Sequence, residues 1–169
     1  FTFNREMLHH HCQPATRCLV PVGTDHDDGS AIRMGMGVGA ATRAMGVAEC
    51  ALPIMPPRVL ARGILVDGEG QRFLNEDTYT GRIGHQALVD QQGEVFMIVD
   101  EHVFAVNYVG MQITWAAQSI AELAHDIGLP ADALVETIET YNRHAEDGHD
   151  PAFHKQPEWV VPLRPVFGA

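Results

Sequence analysis

Between Asn75 and His85 the chain places Glu76, Asp77, Tyr79, Arg82 and His85, so carboxylates, a phenol, a guanidinium and an imidazole fall within about ten residues. Groups of these types give up or accept protons, or stabilise a neighbour that does. The same residues also suit a plainer role, as a loop tyrosine, a surface arginine and a solvated helix histidine. Glu76 reads as a residue that orients the loop or caps a backbone N–H.

The elements around this stretch are those that would have to hold it. Arg58–Val66 and Gln71–Asn75 read as a hairpin about the Asp67-Gly68 turn pair. Arg82–Val89 reads as a short helix, and Glu94–Val99 as a nearly continuous apolar strand, buried on both faces and ending at Asp100. Ser119 caps a helix over Ile120–Ile127 that Gly128 closes. Pro130 then starts a longer one, Asp132–Glu146, with Leu134, Val135, Ile138 and Tyr141 inward and Gly148 as its stop. Val103–Ala117 suits either helix or strand, and His149–Ala169 is proline-punctuated and extended. Upstream, Phe1–Gln13 holds a short helix with Asn4 as N-cap and Met7 and Leu8 on its apolar side. Pro14–Pro21 is a strand or loop. Asp27 or Asp28 caps a helix running to about Gly46, with Ile32, Met36, Val38, Gly39 and Met45 on one face. Pro53, Pro56 and Pro57 mark a boundary.

Composition narrows the function classes. Of 169 residues, 46% are hydrophobic and 20% charged, which suits a folded domain with a real core. The formal charge is -11 and Lys155 is the single lysine, so nucleic acid and acidic membrane surfaces are poor partners. Three cysteines without CxxC spacing, Cys12, Cys18 and Cys50, argue against a disulfide framework and for a reducing cytoplasm. No apolar run reaches the roughly 18 residues of a membrane span. The opening on Phe1 and the stop after a proline cluster suggest a piece of a longer chain.

Two tempting motifs lose on geometry. His9-His10-His11 are consecutive, and neighbours on a helix diverge by about 100°, so they do not converge on one metal ion. Gly35-Met36-Gly37-Val38-Gly39-Ala40 satisfies the letter of G-x-G-x-x-A. The dinucleotide fingerprint, however, must follow a strand and open a helix, and this run lies inside a helical pattern. Three glycines there imply close approach of the helix to a sheet or a ligand. The helix start at Asp28-Gly29-Ser30 is the better place for a ligand, because free N–H groups face outward there.

RGILVDGEGQRFLNED, over Arg62–Asp77, resembles a segment of the fumarate-reductase and 3-ketosteroid-dehydrogenase flavoproteins, in which a glycine-led strand, a G-x-R-F turn and an Asn-Glu pair recur. DDGSAIRMGMGVGAA is similar to that family's Asp-Gly helix, LVETIETYNRHAEDGHDPAF to its cap-domain helix, and PLRPVFGA to the return toward its flavin domain. The order agrees as well. The resemblance implies an α+β chain: a small mixed or antiparallel sheet with flanking helices, forming the cap domain of a flavoprotein, plus a helical remnant of a Rossmann-type FAD domain. Residues 1–55 would be the partial FAD-domain segment, 56–162 the cap, and 163–169 the return. It implies FAD as cofactor, although the anchoring motifs for tight binding are absent here, with Asp28 and Gly29 near the flavin in the complete protein.

The same resemblance implies a small-molecule substrate whose C–C bond lies next to a carbonyl. The proton partner in the family follows the Asn-Glu pair, as arginine in fumarate reductases and tyrosine in ketosteroid dehydrogenases. Counting on from Glu76, the arginine's place falls on Thr80, which cannot act as that acid. Tyr79, one residue earlier and acidified by Arg82, becomes the candidate proton carrier, with His85 as a further candidate. A ketosteroid-like substrate suits this better than a dicarboxylate. No metal is implied, and a homodimer of the fragment is plausible if its flavin-facing surface is apolar. The competing reading is a standalone ligand-binding or interaction domain with cap-like architecture and no catalysis of its own.

Overall fold

A computed structural model describes residues 1–17, 20–52, 58–104 and 112–169. The predicted boundary at Pro53, Pro56 and Pro57 therefore lies outside the described residues, as do Cys18 and much of the Val103–Ala117 stretch. The chain divides into two compact units, Phe1–Cys50 and Ala51–Ala169.

The first unit is helical. α1 (Arg5–His11) starts as the sequence predicts, with the Asn4 side chain accepting from the Met7 N–H and Met7 and Leu8 half-buried. α2 (Pro14–Arg17) replaces the expected strand or loop: Pro14 occupies a first helical position, where its missing N–H costs nothing. α3 (Ser30–Gly37) is shorter than the pattern suggests and stops some nine residues before Gly46. Gly35 and Gly37 weaken its last turn, and Gly39 at φ 90° turns the chain away. Its N-cap is Gly29 rather than an aspartate, while Asp28 accepts from the Ser30 N–H. Met34, Met36 and Val38, on or just past α3, are exposed.

In the second unit, a 3-10 turn (Arg58–Arg62) leads into β1 (Ile64–Asp67). The expected hairpin shrinks to one bridge, Val66 to Arg72, across a turn closed by the Gly70 N–H on the Asp67 carbonyl. Gly70 is required there: its φ is 74°, and a Cβ would sit 3.1 Å from the Leu134 nitrogen. α4 (Thr80–His85) begins two residues before the predicted start and runs into a π turn over Gln86–Asp90. β2 (Val95–Asp100) is the predicted strand and pairs antiparallel with β1, Ile64 opposite Ile98. β3 (Ala116–Ala117), α5 (Ile120–Ile127), α6 (Ala131–Ala145) and β4 (Phe167–Gly168) complete the unit. The sheet order is β1-β2-β4-β3, antiparallel throughout.

Strand alternation explains the two-sided core. Ile64, Val66 and Ile98 project to one face, where Leu123 of α5 and Leu134, Ile138 and Tyr141 of α6 cover them. Leu65 and Val99 project to the other, against Leu60, Leu74, Val103 and Ile83 of α4. Both helices on the first face follow their sequence signals. Ser119 accepts from the Glu122 N–H and Gly128 closes α5 at φ 83°, and Gly148 ends the segment after α6 at φ 66°. Among the described residues no helix is long and apolar enough to cross a membrane, and no group of three or more His, Cys, Asp or Glu side chains is arranged to hold a metal ion. Cys12 and Cys50 are free thiols.

Candidate active site

α4 carries the predicted proton-handling residues on its outer side. Ile83 and Gly84 are buried beneath it, as is Ala87 in the π turn that continues it. Tyr79, Arg82 and His85 recur every three residues, a spacing that keeps side chains on one flank of a helix. All three are exposed, Tyr79 at 66%. Tyr79 is the N-cap residue: its carbonyl accepts from the Arg82 and Ile83 N–H groups, and Thr80 is the first helical residue. Thr80 thus lies inside the first turn, with Tyr79 at its mouth.

Behind this loop lies a cluster that sequence reasoning did not assemble. Glu76 is fully buried, and its Oε1 accepts from the Leu65 N–H at 2.8 Å. β1 is an edge strand, so the carboxylate satisfies an edge donor that no neighbouring strand reaches. Arg72 forks onto two carboxylates. It donates to Glu76 from Nε at 3.2 Å and from Nη2 at 2.9 Å. It donates to Asp150 from Nη1 at 3.0 Å and Nη2 at 2.9 Å. Its guanidinium lies 4.9 Å from the ring centres of both Tyr141 and Phe153. Lys155 donates to Glu76 Oε2 at 2.8 Å and to the Gly63 carbonyl at 2.6 Å, with no exposed side-chain surface. Two cations and two carboxylates therefore close a formally neutral set.

Burial and pairing pull on these groups in opposite directions. Burial opposes the charge of Arg72, but Glu76 and then Asp150 outweigh it, and the guanidinium's pKa rises. Burial would push Asp150 up, yet the hydrogen bonds from Arg72 hold its carboxyl below the usual range. Burial lowers the Lys155 pKa, and Glu76 only partly restores it. The Tyr141 phenol is pushed up by burial and then by Glu76, so it keeps its proton. The expectation that Glu76 caps a backbone N–H is met, but Arg72, Asp150 and Lys155 escaped notice. Two signals pointed to them: Arg72 and Glu76 stand four apart, and Lys155 is the single lysine of a strongly acidic chain.

Asp77 ties the loop to a second segment. Its Oδ2 accepts from the Gln156 N–H at 2.8 Å and its Oδ1 from Asn75 Nδ2 at 3.1 Å. A cavity of about 370 Å³ lined by His144, Asp147, His149, Asp150, Pro151 and His154 shares Asp150 with the ion cluster. Tyr79, Arg82 and His85 do not line it.

In the first unit, Asp28 Oδ1 accepts from the Ser30 N–H at 2.9 Å and its Oδ2 lies 3.9 Å from Arg33. The Ser30 hydrogen bonds hold its carboxyl below the usual range, so it is ionised at neutral pH. Gly29 has φ 78°, and a Cβ there would sit 2.4 Å from the Met7 sulfur. Cβ atoms on Gly37 and Gly39 would meet nothing within 4 Å among the described residues.

The sequence model of the FAD binding domain family matches residues 2–166. The chain belongs to that family. It is 31% identical over 102 residues, 57% of its length, to the 3-oxo-5-alpha-steroid 4-dehydrogenase of Comamonas testosteroni. It is 30% identical over 105 residues, 59% of its length, to the NADH:fumarate oxidoreductase of Klebsiella pneumoniae. Among solved structures it is similar to the 3-ketosteroid-delta4-(5alpha)-dehydrogenase of Rhodococcus jostii RHA1 in complex with 4-androstene-3,17-dione. That match has a TM-score of 0.83 and 38% identity, and covers 99% of this chain. The chain spans 19% and 11% of the two curated relatives and 36% of the solved chain.

FAD is the family's cofactor, and the first unit can be asked what part of it fits. An ionised Asp28 at the mouth of α3 would repel a diphosphate and already holds the Ser30 N–H. Its second oxygen is half-exposed and suits a hydroxyl or imide donor. The residues present fit an edge contact with a flavin and not the cradle of its phosphates.

Proposed function

We propose that the complete protein is an FAD-dependent dehydrogenase or reductase acting on a C–C bond next to a carbonyl, with a ketosteroid-like substrate. Bound FAD would supply the hydride half of the chemistry. Residues of this chain handle the other half, the proton on the carbon next to the carbonyl. Tyr79 takes that proton as the phenolate when the C=C bond forms, becoming the phenol, and the phenol returns it when the bond is reduced. Arg82, one turn on, stabilises the phenolate and so eases the transfer. His85, one turn further, passes the proton to solvent.

One observation carries the reading. Tyr79 stands exposed at the mouth of α4, in a chain similar over 99% of its length to a ketosteroid dehydrogenase; counting on from Glu76, we assign Thr80 to the place of the fumarate reductases' arginine. Asp28 and Gly29 are the residues we place against the flavin, through its hydroxyl or imide donors. We assign residues 1–55 to the flavin domain, 56–162 to the cap and 163–169 to the return. Free Cys12 and Cys50 support a cytoplasmic setting. The exposed Met34, Met36 and Val38 support self-association of the isolated chain.

The test is Tyr79→Phe in the complete protein, assayed by bleaching of the flavin spectrum with 4-androstene-3,17-dione, its saturated analogue and fumarate. Turnover with a ketosteroid should fall at least about a hundredfold, the usual size of a general acid–base contribution. Retained turnover would remove Tyr79 from the mechanism, and turnover of fumarate alone would overturn the substrate class.

A further inference from the structure

The segment Asp150–Gln156 touches the loop before Tyr79 at two consecutive residues, the buried Glu76 and the half-buried Asp77. Glu76 points inward and meets Lys155 at 2.8 Å and, through Arg72, Asp150. Asp77 accepts from the Gln156 N–H in a solvent-exposed hydrogen bond of 2.8 Å. The segment is itself preorganised. Asp150 accepts from the backbone N–H groups of Phe153 at 3.4 Å and Lys155 at 3.2 Å, and its carbonyl accepts from His154 at 2.8 Å. His154 adopts φ 58°, a left-handed conformation that a non-glycine residue holds only when its surroundings impose it. Asp77 stands two residues before Tyr79, and its other oxygen accepts from Asn75 Nδ2.

We propose that the Asp150–Gln156 turn is a positioning clamp for the proton-transfer loop and acts through Asp77. Asp77 touches no reacting atom; it fixes where the backbone enters α4 and hence where the Tyr79 hydroxyl stands. Displacing a reacting group by about 1 Å can lower turnover about a hundredfold without weakening substrate binding. The clamp therefore acts on kcat rather than KM. It rests on the assignment of Tyr79 above.

The test compares Asp77→Ala, Asp77→Asn and Tyr79→Phe in the complete flavin-loaded protein, with 4-androstene-3,17-dione and its saturated analogue as probes. Asp77→Ala should lower kcat at least about tenfold with KM within about twofold, a tenth of the hundredfold effect that full misplacement can have. Asp77→Asn keeps an oxygen acceptor for the Gln156 N–H, so it should restore kcat. Amide hydrogen exchange, which needs no substrate, should quicken over residues 78–83 in Asp77→Ala and stay unchanged in α5 and α6. Wild-type kcat in Asp77→Ala beside a dead Tyr79→Phe would overturn the clamp and leave the proposed function standing. An active Tyr79→Phe would overturn the proposed function instead. Failure of Asp77→Asn to rescue, or loss of protection throughout α5 and α6, would make Asp77 structural and overturn the clamp. Should Asp77→Ala not fold, Gln156→Pro removes the donor N–H, at a residue whose φ of -60° suits proline. It is expected to reproduce the kcat loss, and wild-type kcat in that variant would equally overturn the clamp.

Discussion

Lys155 and Arg164 show how little a charged contact means without its surroundings. Both side chains pair with a glutamate, Lys155 with Glu76 and Arg164 with Glu146. Lys155 is sealed from water, whereas the Arg164 and Glu146 side chains are 60% and 54% exposed. Replacing Lys155 with methionine keeps much of the stem but leaves the Gly63 carbonyl unpaired and Glu76 short of a cation. Urea unfolding should show a loss of about 3–5 kcal/mol for Lys155→Met, the usual consequence of breaking a buried ion set. Arg164→Ala should cost less than about 1 kcal/mol, because water screens an exposed pair. A similar loss in both variants would mean that the buried set contributes nothing beyond a surface contact.

At the scale of elements, α5 and α6 were legible because their signals are local. Ser119, Gly128, Pro130 and Gly148 punctuate them, and Leu134, Ile138 and Tyr141 recur at helical spacing. Ser119→Ala should cost about 1 kcal/mol, through loss of the acceptor for the Glu122 N–H, with the unfolding transition still cooperative. An unchanged midpoint would show that Glu122, whose own carboxylate accepts from the Gln118 N–H, caps the helix alone. The hairpin around Asp67-Gly68 was over-read for the opposite reason. A turn pair predicts that the chain reverses, and it does, but the partner of β1 is β2, about thirty residues on, which no local pattern announces. The site divides in the same way. Tyr79, Arg82 and His85 share a helix flank and could be read from spacing, while the Arg72–Asp150 bridge spans 78 positions and had no local signal. α3 illustrates a third case, where three glycines outweighed a good apolar pattern.

For the whole molecule, acid should find the same weak point. Folding holds the Asp150 carboxyl below its ordinary value of 3.8, so the unfolded chain takes up this proton more readily than the folded one. The sign follows: the stabilisation is complete above about pH 5 and fades as pH falls below 4 and through the folded-state value. Unfolding midpoints in urea measured from pH 7 down to pH 3 should fall at the acid end. In Asp150→Asn the midpoint should start lower at pH 7 and depend less on pH. An equal acid slope in both proteins would place the sensitivity at other carboxylates.

The position of β4 has a consequence for how such a chain is made. Phe167 and Gly168 lie between β2 and β3 in the sheet, so among the described residues β3 joins the rest of the sheet through residues some fifty positions later. During vectorial synthesis, β1 and β2 can pair as soon as both emerge, but the sheet stays open on one side until Phe167 and Gly168 leave the ribosome. A nascent chain stalled after Pro162 should carry α5 and α6 over a half-built platform and be cut readily by protease. One extended past Ala169 should resist. Equal resistance at both lengths would show that the sheet does not wait for its central strand.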